Sequence, residues 1–220
     1  MEFIPHKYQE AAINKIIEIN RCGLFLDMGL GKTVITLTAI NELKFNYFDV
    51  SKVLIIAPLR VAEDTWINEI HKWEHLNNLV VSLILGDKSK RIKALNAQAD
   101  IYVVNRENVS WLVDYLGKHW DFDMVVIDEL SSFKNSSSLR FKGLKKVITK
   151  SNRVVGLTGT PNPNGFMDLW SQIYLLDSGE RLGRTLTSYR NEFFLPDKRD
   201  SQKIFTYKLK DGSSELIRNK

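Results

Sequence analysis

Short apolar runs alternate with stretches of helical period along the chain. The runs are rich in β-branched residues and almost continuously apolar, which is typical of strands buried on both faces of a parallel sheet. Each run therefore predicts one strand. The runs lie at Gly23–Leu26, Val53–Ala57, Val80–Leu85, Ile101–Val104, Met124–Ile127 and Arg153–Leu157.

Between these runs, hydrophobic side chains recur at the spacing that places them on one face of a helix. Three such faces are Tyr8, Ala12, Ile16 and Ile19; Trp66, Ile70 and Trp73; and Met167, Trp170 and Tyr174. The alternation of strands and helices favours an α/β fold with a mostly parallel central sheet and helices on both faces. In sheets of this kind, ligands bind at the carboxyl ends of the strands.

Composition narrows the class of protein. The chain has 220 residues, of which 44% are hydrophobic and 26% charged, an ordinary globular mixture. Its one cysteine, Cys22, excludes a disulfide within the chain. We find no signal peptide and no apolar stretch of the roughly 20 residues that cross a bilayer, so we expect an intracellular protein without a membrane partner. The net charge of +5 is compatible with a polyanionic partner but does not require one.

The character of the sequence changes near Pro196, where charged and weakly periodic segments begin. We therefore expect one domain over residues 1–195 and a charged appendage or connector over residues 196–220. Within that appendage, Lys203–Tyr207 predicts a short strand.

A glycine-rich segment follows the first predicted strand and opens a helix. It reads Leu26-Asp27-Met28-Gly29-Leu30-Gly31-Lys32-Thr33. Gly29 and Gly31 permit a tight turn in which backbone N–H groups converge on a phosphate, and the positive end of the helix points to the same place. Lys32 would bring a charge to the β and γ phosphates, and Thr33 would offer a hydroxyl ligand to Mg²⁺. The strict motif has a glycine where Leu26 stands, and an ordinary glycine turn before a helix is the alternative.

An apolar strand at Met124–Ile127 ends in two carboxylates, Asp128 and Glu129. In a nucleotide hydrolase, Asp128 would hold Mg²⁺ through its water shell, and Glu129 would orient and polarise the attacking water. Adjacent carboxylates beside a triphosphate require a divalent cation between them. The alternative is an acidic turn that caps a following helix, because Ser131 and Ser132 are also good cap residues.

Five motifs then occur in a fixed order. They are Tyr8-Gln9; Asp27–Thr33; Pro58 followed by Trp66, Glu69 and Trp73; Asp128-Glu129 followed by Lys134-Asn135; and Leu157-Thr158-Gly159-Thr160-Pro161 within Gly156–Asn164. Together they resemble the first RecA-like lobe of the Swi/Snf branch of helicase superfamily two, over roughly residues 5–195. The resemblance implies a RecA-like P-loop NTPase fold. It also implies ATP and Mg²⁺ as cofactors and double-stranded DNA as the polymer along which such a motor moves.

The resemblance implies roles for further residues within and around the nucleotide site. Gln9 would recognise adenine. Thr158, Gly159 and Thr160 would sense the state of the nucleotide and relay it to the polymer. The alternative is that the two threonines belong to a purely structural turn at a strand end.

Contacts to the polymer backbone are implied at Pro58, Arg60, Asn105 and Arg106, which lie at two strand ends. Arginine and small polar groups suit phosphate contacts that carry no sequence information. Arg60 and Arg106 are equally typical of solvated surface residues, so this interpretation has an alternative as well.

The chain departs from the family pattern in two respects. Leu130 and Ser131 stand where the family has alanine or glycine followed by a histidine that couples hydrolysis to polymer binding. Ser131 can still donate and accept a hydrogen bond. Family motors also have a second RecA-like lobe whose arginines complete the ATP site, and none follows Leu195.

We therefore expect a fragment or a split protein whose second lobe lies in cis or in trans, and only weak hydrolysis by the single lobe. Two alternatives to a DNA-dependent motor stay open. One is a catalytically weak regulatory module that binds nucleotide, and the other is a fragment of a restriction-type translocase subunit. The motif Leu157–Pro161 and the helix with Trp66 and Trp73 favour the motor over the regulatory module.

Overall fold

Six parallel strands form one central sheet in the computed structural model, which describes residues 1–161, 165–197 and 206–220. The strands lie side by side in the order β1-β6-β5-β2-β4-β3. Their bounds are β1 Arg21–Phe25, β2 Val53–Ala57, β3 Val81–Ile84, β4 Ile101–Asn105, β5 Met124–Asp128 and β6 Arg153–Thr158. Each apolar run of the sequence thus forms a strand, and the predicted parallel sheet is confirmed.

Helices cover both faces of the sheet. They are α1 Lys7–Glu18, α2 Lys32–Phe45, α3 Trp66–Lys72, α4 Lys88–Leu95, α5 Val109–Leu116, α6 Leu139–Val147, α7 Leu169–Asp177, α8 Leu186–Phe193 and α9 Ser213–Asn219. Side chains alternate between two cores along each strand, as the pleat requires. Val53 packs into the core formed with α1, α2 and α3, whereas Leu54 packs into the core formed with α5, α6 and α7.

The first strand begins two residues earlier than its apolar run predicts, because a polar side chain anchors its start. The guanidinium of Arg21 donates hydrogen bonds to the carbonyl oxygens of Leu176, Ile148 and Ser151 at 3.3, 3.2 and 2.6 Å. These bonds satisfy carbonyls at helix ends, where intrahelical partners are missing. A hydrophobic pattern does not reveal an anchor of this kind.

The predicted apolar face of α1 is only partly correct. Ala12 and Ile16 are buried, but Tyr8 is 40% exposed and Ile19 lies beyond the end of the helix. Gln9 is buried in their place, because its side chain turns inward to cap the helix and to meet the glycine-rich loop.

The boundary predicted between residues 195 and 196 falls inside a short strand. β7 at Phe194–Pro196 pairs antiparallel with β8 at Tyr207–Leu209, and Ile217 of α9 is buried in the main core. The predicted strand Lys203–Tyr207 lies outside the described residues except for its last two positions, and Tyr207 opens β8. None of the helices in the described parts of the chain has the length and apolar character that crossing a membrane requires.

Arg153 offers a direct test of how the sheet holds α1. This buried guanidinium donates to the carbonyl oxygens of Ile16 and Ile17, both at 3.0 Å, and pairs with Asp49 at 2.5 Å. Replacing Arg153 by alanine leaves these acceptors without their donors, so we expect a loss of about 3 kcal/mol in the free energy of unfolding. For a chain of this size the loss corresponds to a fall of roughly 6–12 °C in Tm.

Thermal unfolding followed by circular dichroism measures this effect. Arg184→Ala is the matched control, because Arg184 is exposed. Equal Tm values for the two variants would show that Arg153 does not anchor α1.

Candidate functional site

The topology brings three sequence motifs to one edge of the sheet. β6 lies between β1 and β5, and all three strands are parallel, so their carboxyl ends are neighbours. The glycine-rich loop follows β1, the carboxylates of Asp128 and Glu129 stand at the end of β5, and Thr158 ends β6. Ligand sites of doubly wound sheets lie at this edge.

The loop after β1 depends on its two glycines. Gly29 and Gly31 have φ angles of +83° and +77°, a region that other residues rarely adopt. A Cβ on Gly31 would also lie 2.7 Å from Nε2 of Gln9. Because α2 begins at Lys32, the free N–H groups of its first turn and the loop amides form a concave surface suited to an anion.

Lys32 lies folded back against the loop. Its Nζ donates to the carbonyl oxygens of Leu26 at 2.7 Å and of Asp27 at 3.0 Å. The ammonium group is therefore held beside the loop amides, where a triphosphate would compete for it with these two carbonyls.

Gln9 links helix α1 to the loop. Its Oε1 accepts from the N–H of His6 at 2.9 Å, and its Nε2 donates to the carbonyl oxygen of Leu30 at 3.5 Å. The hydroxyl of Tyr8 donates to the same carbonyl at 3.3 Å. A primary amide has two donors and two acceptor lone pairs. Gln9 thus keeps capacity for a bidentate hydrogen bond to a ligand.

Glu129 is held by two hydroxyl groups. It has a left-handed φ of +58°, which turns the chain sharply after β5. Its Oε1 accepts a hydrogen bond from Ser131 and another from Thr158 at 3.1 Å. Oγ1 of Thr158 in turn accepts from the N–H of Thr160 at 3.2 Å. The carboxylate of Glu129 is therefore joined to the end of β6. Ser131, which stands where the family has a histidine, contacts the same carboxylate.

Asp128 occupies a more enclosed position. Burial is the main cause that raises its pKa to about 6, and the charge of Glu129 adds to the shift. The indole of Trp66 and the charge of Lys32 lower the pKa of Asp128, but by less than burial raises it. The Trp66 N–H is buried and does not reach hydrogen-bond geometry with any described residue. A cation beside Asp128 would favour the ionised carboxylate further.

One cavity of about 830 Å³ unites most of these groups. The residues predicted from sequence that line it are Gln9, Met28, Gly29, Gly31, Lys32, Thr33, Pro58, Asp128 and Glu129. Leu30 contributes its carbonyl behind the loop rather than lining the cavity. Sequence reasoning missed a second wall, which includes Phe3, Thr65, Glu69, Lys72 and Trp73. The spacing of Trp66, Glu69 and Trp73 was a signal for a helix there, but it carried no sign that the helix end faces the site.

Comparisons with known proteins point to one family. The family model described as SNF2-related domain matches residues 8–216. The chain belongs to the SNF2-related domain family. Protein p41 of Acyrthosiphon pisum secondary endosymbiont phage 1 is 44% identical over 87% of this chain. The mouse DNA excision repair protein ERCC-6-like is 30% identical over 87% of it.

The solved structures that resemble this SNF2-related domain include the Sulfolobus solfataricus SWI2/SNF2 ATPase core in complex with dsDNA. That core has a TM-score of 0.75 and 27% identity over 88% of this chain. The chain spans 43% of the phage protein, 16% of the mouse protein and 39% of the archaeal core. It therefore corresponds to one part of each of these larger proteins.

The segment Thr158–Thr160 of the SNF2-related domain lies behind the cavity instead of lining it. A Cβ on Gly159 would lie 3.4 Å from the carbonyl oxygen of Leu26 and 3.6 Å from Cα of Asp27. The segment thus packs against the backbone of the glycine-rich loop on one side. On the other side, Thr158 contacts Glu129.

The four residues implied in polymer contacts have different environments. Pro58 lines the cavity, and Arg60 is exposed where a turn of π-helix at Val61–Thr65 begins. Asn105 is buried and donates to Glu107 at 3.0 Å, and Arg106 donates to the same carboxylate at 2.9 Å. Glu107 therefore holds Asn105 and Arg106, whereas the side chain of Arg60 points to solvent.

Proposed function

We propose that this chain is the ATP-binding lobe of a DNA-dependent ATPase of the Swi/Snf type. Joined to a second RecA-like lobe, in cis or in trans, it couples ATP hydrolysis to movement on double-stranded DNA. The observation that carries the proposal is the meeting of a phosphate loop, two carboxylates and the Gln9 amide in one cavity. All residues that line this cavity fall within 1–195, the range proposed as the lobe itself.

Within the proposed site, different residues bind different parts of the nucleotide. Met28 to Lys32 supply loop amides and a charge to the phosphates, and Gln9 pairs with the edge of adenine. Thr33 and Asp128 present hard oxygen ligands, which suit Mg²⁺ and its remaining water ligands. When bound, the ion neutralises charge that develops on the phosphates. Glu129 orients the attacking water, because Ser131 and Thr158 hold its carboxylate in place.

We propose that the segment Thr158–Thr160 relays the state of the site to the polymer. It touches the phosphate loop through Gly159 and the water-orienting carboxylate through Thr158. A shift of the loop on nucleotide binding would therefore reach the segment at Gly159, and a shift of the carboxylate would reach it at Thr158. Double-stranded DNA is supported as the polymer by the archaeal relative, whose core was solved in complex with dsDNA.

DNA contacts are proposed at Pro58, Arg60, Asn105 and Arg106. Arg60 is the direct candidate because it is exposed, and Asn105 and Arg106 need release from Glu107 before they can reach a phosphate. In other phosphoryl-transfer systems an arginine finger contributes about 10³–10⁵ in rate. Without arginines from a second lobe, we therefore expect this lobe to hydrolyse ATP slowly.

The deciding experiment is an ATPase assay with and without duplex DNA. It compares this chain alone with the same chain joined to the second lobe of a homologous motor, and Glu129→Gln is the inactive control for both proteins. We expect hydrolysis that duplex DNA stimulates in the two-lobe protein and little turnover in the single lobe. Robust DNA-stimulated turnover by the single lobe would contradict the need for a second lobe. A two-lobe protein that ignores DNA would contradict the motor function.

A further inference from the structure

Trp66 carries a buried hydrogen-bond donor that no described residue accepts. Its side chain is 0% exposed, and its indole N–H is enclosed with it. The indoles of Trp73, Trp120 and Trp170 differ, because each donates to an oxygen, at 2.7, 3.0 and 2.9 Å. A buried donor without an acceptor costs free energy, so the exception at Trp66 requires an explanation.

The fold places this donor beside the nucleotide cavity. Trp66 begins α3, and the residue before it, Thr65, lines the cavity. The ring packs in the same core as Ala57, which ends β2. β2 pairs in parallel with β5, whose last residue is Asp128. The indole therefore lies close to the strand end that carries a carboxylate of the cavity.

The carboxylate of Asp128 is the group on which this N–H acts. Burial is the main influence on the pKa of Asp128 and raises it, whereas the indole of Trp66 is the strongest of the influences that lower it. A donor lowers the pKa of a carboxyl group because it favours the charged form. The N–H nevertheless does not reach hydrogen-bond geometry with this carboxylate. Donor and acceptor are thus neighbours whose hydrogen bond is incomplete.

The two oxygens of Asp128 can take different partners. Lys32, Thr33 and Glu129 line the cavity with Asp128, whereas Trp66 is enclosed in the core. One oxygen can therefore face the cavity while the other meets the indole. In metal sites, hydrogen bonds of this kind orient the side chain that holds the ion.

We propose that Trp66 is a positioning residue for Asp128. Its N–H donates to one carboxylate oxygen when Mg·ATP is bound, so that the other oxygen faces the cation. The inference rests on the proposed function, because it concerns the Mg²⁺ that Asp128 holds there. It also explains the orphaned donor, since the nucleotide-bound site completes the hydrogen bond that the indole lacks.

Titration with a fluorescent ATP analogue, once with excess Mg²⁺ and once with EDTA, separates the metal-dependent part of the affinity from the rest. We expect Trp66→Phe to reduce the gain in affinity that Mg²⁺ provides by about ten-fold, the lower end of the range for losing a partner of a metal ligand. The affinity in EDTA should stay at the wild-type value. Trp120→Phe is the matched control, because it also removes a buried N–H but does not line the cavity.

A replacement that conserves shape separates the N–H from packing. Benzothienylalanine in place of Trp66 keeps two fused rings and has sulphur where the indole has its N–H. We expect it to reduce the Mg²⁺-dependent gain as much as Trp66→Phe does. If it keeps the wild-type gain, Trp66 acts through packing and the proposal is wrong. Weaker binding in EDTA for both replacements would also overturn the proposal, because Trp66 would then support the whole cavity.

The indole proton of Trp66 reports on the hydrogen bond directly. In a proton–nitrogen correlation spectrum, its resonance is the indole signal that disappears in Trp66→Phe. We expect this resonance to move downfield, and its exchange with solvent to slow, when Mg·ATP binds, because the N–H then has an acceptor. A resonance that stays in place on binding would overturn the proposal.

Failure of the inference is distinguishable from failure of the proposed function. If Mg²⁺ strengthens ATP binding equally in the wild-type chain and in both Trp66 replacements, only the role of Trp66 is wrong. If the wild-type chain does not bind ATP with Mg²⁺, the assignment of an ATP site is wrong, and the inference falls with it.

Discussion

Replacing Lys32 by alanine should weaken the binding of Mg·ATP on the order of 100-fold, because a hydrogen-bonded charge on the phosphates is removed. In the structure the ammonium group contacts the carbonyl oxygens of Leu26 and Asp27. It is already beside the loop, so it needs only a short movement to reach a phosphate. The remaining affinity would come from the loop amides and from the positive end of α2.

Fluorescence titration with an ATP analogue in the presence of Mg²⁺ measures this change. Lys15→Ala is the matched control, because Lys15 is exposed on α1 and does not line the cavity. We expect wild-type affinity for the control and similar Tm values for both variants. If Lys32→Ala binds as tightly as the control, the phosphate-loop assignment is wrong.

The altered first position of the phosphate motif illustrates what the sequence alone could not decide. The strict motif has a glycine where Leu26 stands, which leaves open whether the loop can form. In the structure Leu26 is not among the residues with positive φ, so its backbone needs no glycine. Its carbonyl oxygen accepts from Lys32 and lies against Gly159, contacts that any residue could provide. The two positions that do need glycine, Gly29 and Gly31, are the ones that the chain retains.

The sheet and the order of its motifs were predictable because each depends on local sequence. A buried parallel strand reads as a short apolar run, and β2 has the predicted bounds Val53–Ala57. The motifs then follow from the fold, since the carboxyl ends of parallel strands share one edge. For this reason the sequence places the loop after β1 and the carboxylates after β5 at the same edge of the sheet. That they are close neighbours depends on the strand order β1-β6-β5, which local sequence does not give.

The cluster of Phe3, Trp73 and His75 could not be predicted, because it depends on contacts between residues far apart in the sequence. Phe3 meets Trp73 and His75 only once α1 and α3 have packed beside α2. Nothing in the sequence signals the contacts of His75. In the structure this side chain is partly buried, stacks on Phe3 and pairs with Thr38. Burial also lowers its pKa, which favours the neutral ring.

The contacts of the segment Thr158–Thr160 were predictable in part. The motif Leu157–Pro161 identifies Thr158 as important, and its hydroxyl does contact Glu129. Nothing in the sequence indicates that Ser131 donates to the same carboxylate oxygen. The left-handed backbone of Glu129 turns the chain sharply after β5 and brings Ser131 within reach of the carboxylate.

Asp128→Asn should stabilise the folded chain while it removes a ligand for Mg²⁺. Burial raises the pKa of Asp128 from 3.8 to about 6, so the folded state disfavours the ionised carboxylate. The folded chain therefore binds more protons than the unfolded chain between these two values. By linkage, the titration of Asp128 therefore lowers the free energy of unfolding as the pH rises from about 4 to about 6. Above pH 6 this group causes no further change in the free energy of unfolding.

An asparagine carries no charge at any of these pH values, so its burial does not incur the free-energy cost of desolvating a carboxylate. At pH 7.5 we expect Asp128→Asn to raise the free energy of unfolding by about 1–3 kcal/mol, the upper value being the full pKa shift. The gain should shrink as the pH falls below 6 and vanish near pH 4, where the wild-type carboxyl group is also neutral. Urea unfolding at pH 4, 6 and 7.5 measures this trend.

Asp114→Asn is the matched control, because Asp114 is an exposed carboxylate on α5. The control should change stability little at any of the three pH values. A gain for Asp128→Asn that is the same at pH 4 and pH 7.5 would show that charge burial is not its cause. In parallel, the affinity for ATP should lose its dependence on Mg²⁺ in Asp128→Asn and keep it in Asp114→Asn. A half-buried carboxylate that lowers stability and is nevertheless needed to bind the cation would show that Asp128 is kept for function at a cost in stability.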